Sequence, residues 1–358
     1  MRQLSDPPMR LCLMTAISFI ALCFQSGSLT AQRSPDINHL LARAQAGYVK
    51  DEMELAHAFQ LGRGVPQDNA ESAKWTLKAA NQGDPAAQTD IGCAYFSGTG
   101  VPEDQKEAFK WFQRAAVADF PPAQNDLGLL LVRGIGVQKD VASGVNWIRR
   151  AAKRDFAPAE VHLGLFYILG IGVERNNAEA IRWIRKAVKK QDAFAQFLLA
   201  ELYDFGIGVT ADLSQAAALY RKAAERGFAP AQNNVGKMYE KGSAGVPQNR
   251  SEAIRWYTLA AEQGDAIACN NLAALYADAH SGTPDLKLAY FWAVAAAHML
   301  SWGLEPVPPE LGHSLRNSIS SEEALGIEAR AIDWAQNHQF PPSDQGELLA
   351  LQSPLPPR

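Results

Sequence analysis

The chain has 358 residues, of which 47% are hydrophobic and 20% are charged, and its formal net charge is −4. This composition is that of a soluble globular protein and excludes a disordered or a collagen-like chain. A mildly acidic chain is also a poor candidate for nucleic-acid binding, which depends on basic residues that neutralise phosphates.

Residues 1–31 have the layout of a secretory signal peptide. A polar start with two arginines precedes an apolar run from Leu11 to Phe24, and small or polar residues follow up to Ala31. This run is shorter than the roughly 20 apolar residues that a transmembrane helix needs. We therefore expect cleavage after Ser28 or Ala31, a periplasmic or secreted location rather than a membrane anchor, and no membrane span in the mature chain.

Residues 32–47 are predicted to form an N-terminal capping helix. The stretch from Ile37 to Ala46 is amphipathic, and a polar outer face is what the terminal unit of a repeat protein needs. The helix precedes residues 48–300, in which one pattern recurs.

The recurring pattern has a period of 36 residues. A Gly-x-Gly-Val unit recurs at this spacing, with a last copy that carries one inserted residue: Gly62, Gly98, Gly134, Gly170, Gly206 and Gly242. A tryptophan column keeps the same period: Trp75, Trp111, Trp147, Trp183, Trp256 and Trp292. Self-similarity at such a period is the signature of a solenoid of stacked units.

Each unit is predicted to consist of a helix, a turn and a second helix, here called helix A and helix B. In one unit Ala123, Leu127 and Leu131 lie at i, i+4 and i+8 and share one face of helix A. The first glycine of the turn ends helix A in a left-handed conformation. An Asp or Asn then caps helix B, and in most units it forms a reciprocal capping box, as Asp104 does with Glu107.

One helix pair cannot bury its apolar side alone, so the pairs must stack. About seven pairs are predicted to form a right-handed α-solenoid, an all-α superhelix of helix-turn-helix repeats with helical end caps. The tryptophans of helix B are predicted to face inward and to build the core. Small residues in the middle of helix A, such as Gly128, would let a neighbouring helix approach closely.

At the carboxyl end the pattern changes, since the seventh turn lacks Gly-x-Gly-Val. Residues 301–340 are predicted to form a C-terminal helical cap, with helices near residues 310–317 and 322–337. The second of these begins with a Ser-x-x-Glu capping box at Ser320. Residues 341–358 contain five prolines and little periodicity and are predicted to be disordered.

Three features resemble Sel-1-like repeats, which are relatives of the tetratricopeptide repeats. They are the Gly-x-Gly-Val turn, the tryptophan followed by Lys-Ala-Ala, and the Ala-Gln-x-x-Leu-Gly start of helix A, and they cover about residues 48–300. The resemblance implies a non-enzymatic adaptor, often exported in bacteria, that assembles complexes or regulates envelope signalling. It also implies that the A helices line a concave groove.

Partner-binding residues are sought where the units differ while their frame repeats. Two consecutive positions of helix A change from unit to unit and would face the groove. The candidates are Asn125, Asp126, His162, Phe197, Asn233, Asn234 and Asn270. Two interpretations stay open: these side chains contact a partner, with Phe197 as an anchor, or some of them hydrogen-bond the adjacent repeat.

No sequence motif indicates catalysis or a cofactor. The Gly-x-Gly units follow predicted helices and recur in every unit, whereas a nucleotide-binding loop follows a strand. No two histidines have metal-ligand spacing, so no metal site is predicted. Cys93 and Cys269 have no motif partner and are interpreted as small core residues rather than nucleophiles.

These observations predict a protein–protein interaction scaffold of the bacterial cell envelope, monomeric and without a cofactor. It would bind another envelope or secreted protein, and no nucleic acid, in its concave groove. The alternative is a secreted hydrolase or a β-lactam- or peptidoglycan-binding protein, to which a cysteine-rich subgroup of similar proteins points. A further possibility is a regulator that sequesters the periplasmic domain of a sensor kinase.

Overall fold

A computed structural model describes residues 37–280, 282–299 and 309–338. All regular elements in these ranges are helices, which confirms the predicted all-α class. The predicted signal peptide, residues 1–31, and the predicted disordered tail, residues 341–358, lie outside the described residues and stay predictions.

The described residues fall into two compact units. The first unit ends at Ala187, and the second begins at Val188. This division falls two residues before the end of the fourth helix pair. The predicted bounds of the two caps and of the solenoid stay predictions.

The first unit begins with a short helix and continues with four helix pairs. Its helices are α1 (Ile37–Gln45), α2 (Val49–Leu61), α3 (Asn69–Asn81), α4 (Pro85–Ser97), α5 (Gln105–Val117), α6 (Pro121–Arg133), α7 (Val141–Lys153), α8 (Ala157–Leu169) and α9 (Asn177–Lys189). The last two residues of α9 belong to the second unit. The pairs α2/α3, α4/α5, α6/α7 and α8/α9 are repeats one to four.

The second unit contains three further pairs and two closing helices. These helices are α10 (Ala193–Phe205), α11 (Leu213–Glu225), α12 (Ala229–Lys241), α13 (Arg250–Ala261), α14 (Ala266–Ala277), α15 (Leu286–Met299), α16 (Pro309–Asn317) and α17 (Ser321–Asn337). The pairs α10/α11, α12/α13 and α14/α15 are repeats five to seven. Helix α14 ends without a left-handed glycine, as its aberrant turn predicts, because the extended Asp278 follows it.

The turn between helix A and helix B forms as predicted. In the third repeat Gly134 follows α6 at φ 78° and donates its backbone N–H to the Leu130 carbonyl. The second glycine, Gly136, lies so near the preceding repeat that a Cβ there would be 2.1 Å from the carbonyl oxygen of Gln105. The turn therefore fixes both the end of one helix and the approach of the neighbouring repeat.

The capping box forms only in part. Asp104 accepts hydrogen bonds from the backbone N–H groups of Lys106 and Glu107 and so caps α5. Its own N–H donates to the Tyr95 carbonyl of α4 at 2.8 Å and is unavailable to Glu107. Glu107 pairs instead with Lys110 at 2.7 Å, so the predicted reciprocal bond is wrong. The bond from the cap residue to helix A recurs at Asp68, Asp140, Asn176, Asp212 and Asn249.

The residue after each tryptophan, more than the tryptophan itself, fills the core. Four of these residues have no exposed surface: Phe112, Ile148, Ile184 and Tyr257. Trp111, Trp256 and Trp292 are buried, but Trp75, Trp147 and Trp183 are only half-buried. The guanidinium of Arg150 lies 4.6 Å from the ring centre of Trp147 and covers it from the solvent side. Half of the tryptophan column thus lies in the core, and the other half lies at its outer edge.

Small residues of helix A allow this packing, as predicted. A Cβ on Gly128 of α6 would lie 2.5 Å from Cγ1 of Ile148 and 2.7 Å from the carbonyl oxygen of Gly144, both in α7. A Cβ on Gly144 would in turn lie 2.6 Å from the Gly128 carbonyl oxygen. The two backbones of the third repeat therefore touch directly.

Candidate functional site

The seven candidate residues lie in A helices, and most of them are covered. Five are buried: Asn125, Asp126, His162, Phe197 and Asn233. Asn234 and Asn270 are half-buried. In the first unit, no residue of α6 or α8 is exposed.

In the first unit the structure brings three candidates into one hydrogen-bonded triad. Nδ2 of Asn125 donates to Oδ1 of Asp126 at 3.0 Å. Oδ1 of Asn125 lies 2.6 Å from Nδ1 of His162 in the next helix A. Because this oxygen can only accept, Nδ1 of His162 carries the proton. The triad therefore joins α6 to α8 across the boundary between repeats three and four.

Burial sets the charges of the triad. It raises the pKa of Asp126 to about 7, against the opposing effect of the hydrogen bond from Asn125. Burial, together with the positive charge of Arg133, lowers the pKa of His162 to about 3. At neutral pH His162 is therefore uncharged, and Asp126 is close to half-protonated.

The two shifts predict opposite pH dependences of stability. The ordinary pKa values are 3.8 for Asp and 6.5 for His. Folded Asp126 holds its proton more tightly than the unfolded chain, so its stabilising contribution is complete below about pH 4 and is lost as the pH rises through 7. Folded His162 resists protonation, so its contribution is complete above about pH 6.5 and is lost as the pH falls toward 3.

Single substitutions in the triad are expected to separate these dependences. In Asp126→Asn only the His162 contribution of this pair remains, so the free energy of unfolding, taken relative to that of the unchanged chain, should fall by on the order of 1 kcal/mol per pH unit as the pH is lowered from about 6 to 4. His162→Asn should give the opposite slope over the same range. Urea unfolding at a series of pH values measures both slopes, and parallel profiles for the two variants would contradict the charge assignment.

In the second unit the candidates belong to the core and to a bond between repeats. Oδ1 of Asn233 in α12 accepts a 2.8 Å hydrogen bond from Nδ2 of Asn271 in α14. Phe197 packs against the rings of Tyr220 and Phe228, with centroid distances of 5.6 and 5.1 Å. Sequence reasoning did not select Asn271, although its position one residue after Asn270 repeats the Asn-Asn doublet of the preceding repeat.

Burial and hydrogen bonding favour the interpretation that Asn125, His162 and Asn233 bond the adjacent repeat. Each of these side chains bonds a helix A of the adjacent repeat. Phe197 is a core residue in the described structure. Contact of any of the seven candidates with a partner stays a prediction.

The position equivalent to Asp126 is accessible in the first two repeats, whereas Thr89, the equivalent of Asn125, is buried. Asp90 of α4 occupies the position that Asp126 has in α6, and its side chain is 48% exposed. Its Oδ2 lies 3.7 Å from Nε2 of His57 in α2, which is 55% exposed. The A helices of these two repeats therefore present a polar pair that a partner can reach.

A neighbouring position of helix A binds the preceding helix B. Nε2 of Gln124 donates to the Ala116 carbonyl at 3.2 Å, and the glutamines of the second and sixth repeats make the same bond. In the fourth repeat the fully buried Glu160 takes this position, and Nζ of Lys186 lies 3.1 Å from its Oε1. The same ammonium donates to the Ala152 carbonyl at 3.5 Å, so it replaces the missing glutamine donor.

Side chains that could bind a metal or act in catalysis are dispersed over the part of the chain that the structure describes. Within the described ranges, no three His, Cys, Asp or Glu side chains come together as metal ligands would. Cys269 is a fully buried free thiol, and burial raises its pKa far above the ordinary value, which disfavours the nucleophilic thiolate. No described helix combines the length and the apolar character that crossing a membrane requires.

The helix pairs match the model of one protein family, the Sel1 repeat. The matched residues are 51–84, 85–117, 121–156, 157–192, 193–228, 229–265 and 266–299. The chain belongs to the Sel1 repeat family. This membership confirms the resemblance seen in the sequence and, with the all-helical structure, the α-solenoid class. The hand of the superhelix stays a prediction.

Solved Sel1 structures resemble this Sel1 repeat chain. A Sel1 repeat protein from Oxalobacter formigenes is 33% identical, with a TM-score of 0.63 over 70% of this chain and 99% of that chain. The protective antigen c5321 of uropathogenic Escherichia coli is 23% identical, with a TM-score of 0.50 over 90% of this chain and 83% of that chain. The second likeness shows the fold alone. A comparison with curated proteins found no match.

Proteins built from Sel1 repeats are generally non-enzymatic scaffolds for protein interactions. The family membership therefore places protein partners ahead of small-molecule substrates for this chain.

Proposed function

We propose that this Sel1 repeat chain is a non-enzymatic scaffold of the bacterial cell envelope that binds another envelope or secreted protein along its A helices. The observation that carries the proposal is a sevenfold repeated frame whose helix A residues differ from repeat to repeat. The signal-peptide layout of residues 1–31 supports the envelope location. The chain would act as a monomer that assembles a complex or regulates envelope signalling.

The accessible A-helix positions are where a partner would make contact. In the first unit they include His57 and Asp90, whose side chains are about half exposed and lie 3.7 Å apart. In the second unit Asn234 is half-buried, and Lys237, one turn further along α12, is exposed. These side chains are polar and of both charge signs, which suits a polar segment of a partner better than an apolar ligand.

Site-specific photo-crosslinking in the native envelope tests this proposal. A crosslinking amino acid at Asp90 or Lys237 should capture one partner in a stoichiometric adduct, which mass spectrometry identifies. The matched control is Lys74, which is exposed on helix B of the first repeat. Equal adducts from all three positions, or none from Asp90 and Lys237, would overturn binding along the A helices.

The same experiment addresses the finer part of the proposal. A captured sensor-kinase domain would indicate a regulator, and a captured assembly component would indicate an adaptor. Sequencing of the mature N-terminus should find a start after Ser28 or Ala31. An uncleaved chain would contradict the predicted export. No feature of the described residues favours the hydrolase, β-lactam-binding or peptidoglycan-binding alternative.

A further inference from the structure

The outer surface of helix B carries two kinds of basic residue. The first kind serves the frame of the repeat. Lys74 and Lys110 pair with a glutamate three residues earlier at 2.9 and 2.7 Å, and the guanidinium of Arg114 lies 4.4 Å from the ring centre of Trp111. Such residues recur from repeat to repeat because the cap and the tryptophan recur.

The second kind lies at positions that hold no basic residue in the first two repeats. Arg149 and Lys153 lie one turn apart on α7, and Arg185 of α9 is the equivalent of Arg149 in the next repeat. We call these three residues the outer basic cluster. In the first two repeats the same positions hold the uncharged Leu77, Asn81, Gln113 and Val117. The fifth repeat has Arg221 at the position of Arg149 and Arg185 but Glu225 at that of Lys153, so the cluster is a property of the middle repeats and not of the repeat pattern.

The surroundings of the cluster strengthen its charge. Helix α7 contains Arg149, Arg150 and Lys153 and no acidic residue. Lys153 and Arg185 are exposed, and Arg149 is half-buried with its guanidinium bonded to the neutral Asn146 at 2.8 Å. This positive surface stands on a chain whose formal net charge is −4, so it is a local concentration and not the general character of the protein.

The two helices that carry the cluster are neighbours. Nζ of Lys186 in α9 reaches the Ala152 carbonyl in the last turn of α7, and it lies 2.5 Å from Asp155 just beyond that helix. Arg185 precedes Lys186 and Lys153 follows Ala152, so both cluster residues stand beside this contact. Residues three apart on an extended segment lie about 10 Å apart. An extended peptide that crosses α7 and α9 can therefore place an acidic residue against each helix.

We propose that the outer basic cluster is a second docking surface, which binds an extended acidic segment of a protein partner. Two observations select a protein segment over other anions. No large apolar side chain of α7 or α9 is exposed, whereas adsorption to a membrane surface uses apolar anchors beside the basic residues. Arg149 and Arg185 supply planar guanidinium groups, which bind carboxylates through paired hydrogen bonds. This surface adds to the proposed function and does not depend on binding along the A helices.

A peptide-binding measurement on the full mature chain tests the proposal. The probe is a fluorescein-labelled peptide of Glu-Ser-Ser repeats, compared with the same peptide carrying Lys in place of Glu. Fluorescence anisotropy should show binding of the acidic peptide alone, and added salt should weaken it because the contact is electrostatic and exposed. The triple variant Arg149→Gln, Lys153→Gln, Arg185→Gln should weaken binding about tenfold or more.

The matched control removes three exposed charges from helix B of the first two repeats: Lys74→Gln, Lys106→Gln and Lys110→Gln. It should change the affinity by less than about threefold, and circular dichroism should show that both variants are folded. Equal losses in the two variants, equal binding of the two peptides, or binding to phosphatidylglycerol vesicles without binding to the acidic peptide would each overturn the proposal. Crosslinking from Asp90 should persist in the triple variant, which separates a failure of this proposal from a failure of the proposed function.

Discussion

Replacement of Gly128 with alanine is expected to lower the free energy of unfolding of the first unit by about 2 kcal/mol. The new methyl group would lie 2.5 Å from Cγ1 of Ile148 and 2.7 Å from the backbone carbonyl oxygen of Gly144. A side chain can rotate away, but a backbone oxygen moves only if α7 moves. The strain therefore exceeds the gain of about 1 kcal/mol that alanine brings to a helix interior.

Gly326→Ala is the matched control for this prediction, because it makes the same change inside another helix. Gly326 is exposed in α17, and a Cβ there would meet nothing within 4 Å. This variant should be stabilised by about 1 kcal/mol. Urea unfolding followed by circular dichroism measures both, and hydrogen exchange assigns each change to its unit. A gain of stability in Gly128→Ala would show that α6 and α7 do not touch as described.

Replacement of Lys186 with methionine is expected to cost about 1–3 kcal/mol of unfolding free energy. Glu160 is fully buried, and the Lys186 ammonium 3.1 Å away neutralises it while also donating to the Ala152 carbonyl. Methionine keeps the apolar stem and removes only the charge. The Lys186 side chain is 39% exposed, so water can take over part of its role, which keeps the cost below that of a fully buried pair.

Glu160→Gln should rescue this variant. A glutamine is what the third repeat has at the equivalent position, where Gln124 donates to the Ala116 carbonyl at 3.2 Å. The double variant Glu160→Gln, Lys186→Met should therefore recover most of the lost stability, since it buries no unpaired charge and restores the donor. A double-mutant cycle by urea unfolding measures the coupling. If the double variant is no more stable than Lys186→Met alone, the interpretation that the Lys186 ammonium replaces the glutamine donor is wrong.

The parts of the fold that depend on local sequence were predictable. A left-handed glycine such as Gly134 ends a helix whatever surrounds it, and an Asp such as Asp104 caps the helix that follows. These signals recur at a fixed period and so identify each helix pair. The reciprocal bond of the capping box was predicted wrongly because another bond competes with it. The Asp104 N–H donates to the carbonyl of Tyr95, nine residues earlier.

The contacts between repeats were harder to predict from the sequence. The positions of Asn125 and His162 within helix A indicated that both lie on the variable face. They did not indicate that the two side chains hydrogen-bond each other between α6 and α8. Which side chains meet depends on the offset between stacked helices, and no single repeat encodes that offset. The tryptophan column is a second example. The 36-residue period identified the column but did not show that Arg150 covers the ring of Trp147.

A main-chain bond joins the two helices of each of the first six repeats, and side-chain bonds contribute to the connection between one repeat and the next. Asp104 donates to Tyr95 within its own repeat, while Gln124 and Asn271 reach across the boundary between repeats. The main-chain bond inside a helix pair is therefore kept when a whole pair is gained or lost. Chains of this kind can lengthen or shorten during evolution in steps of one repeat, and only the side chains on the two newly joined faces must adjust.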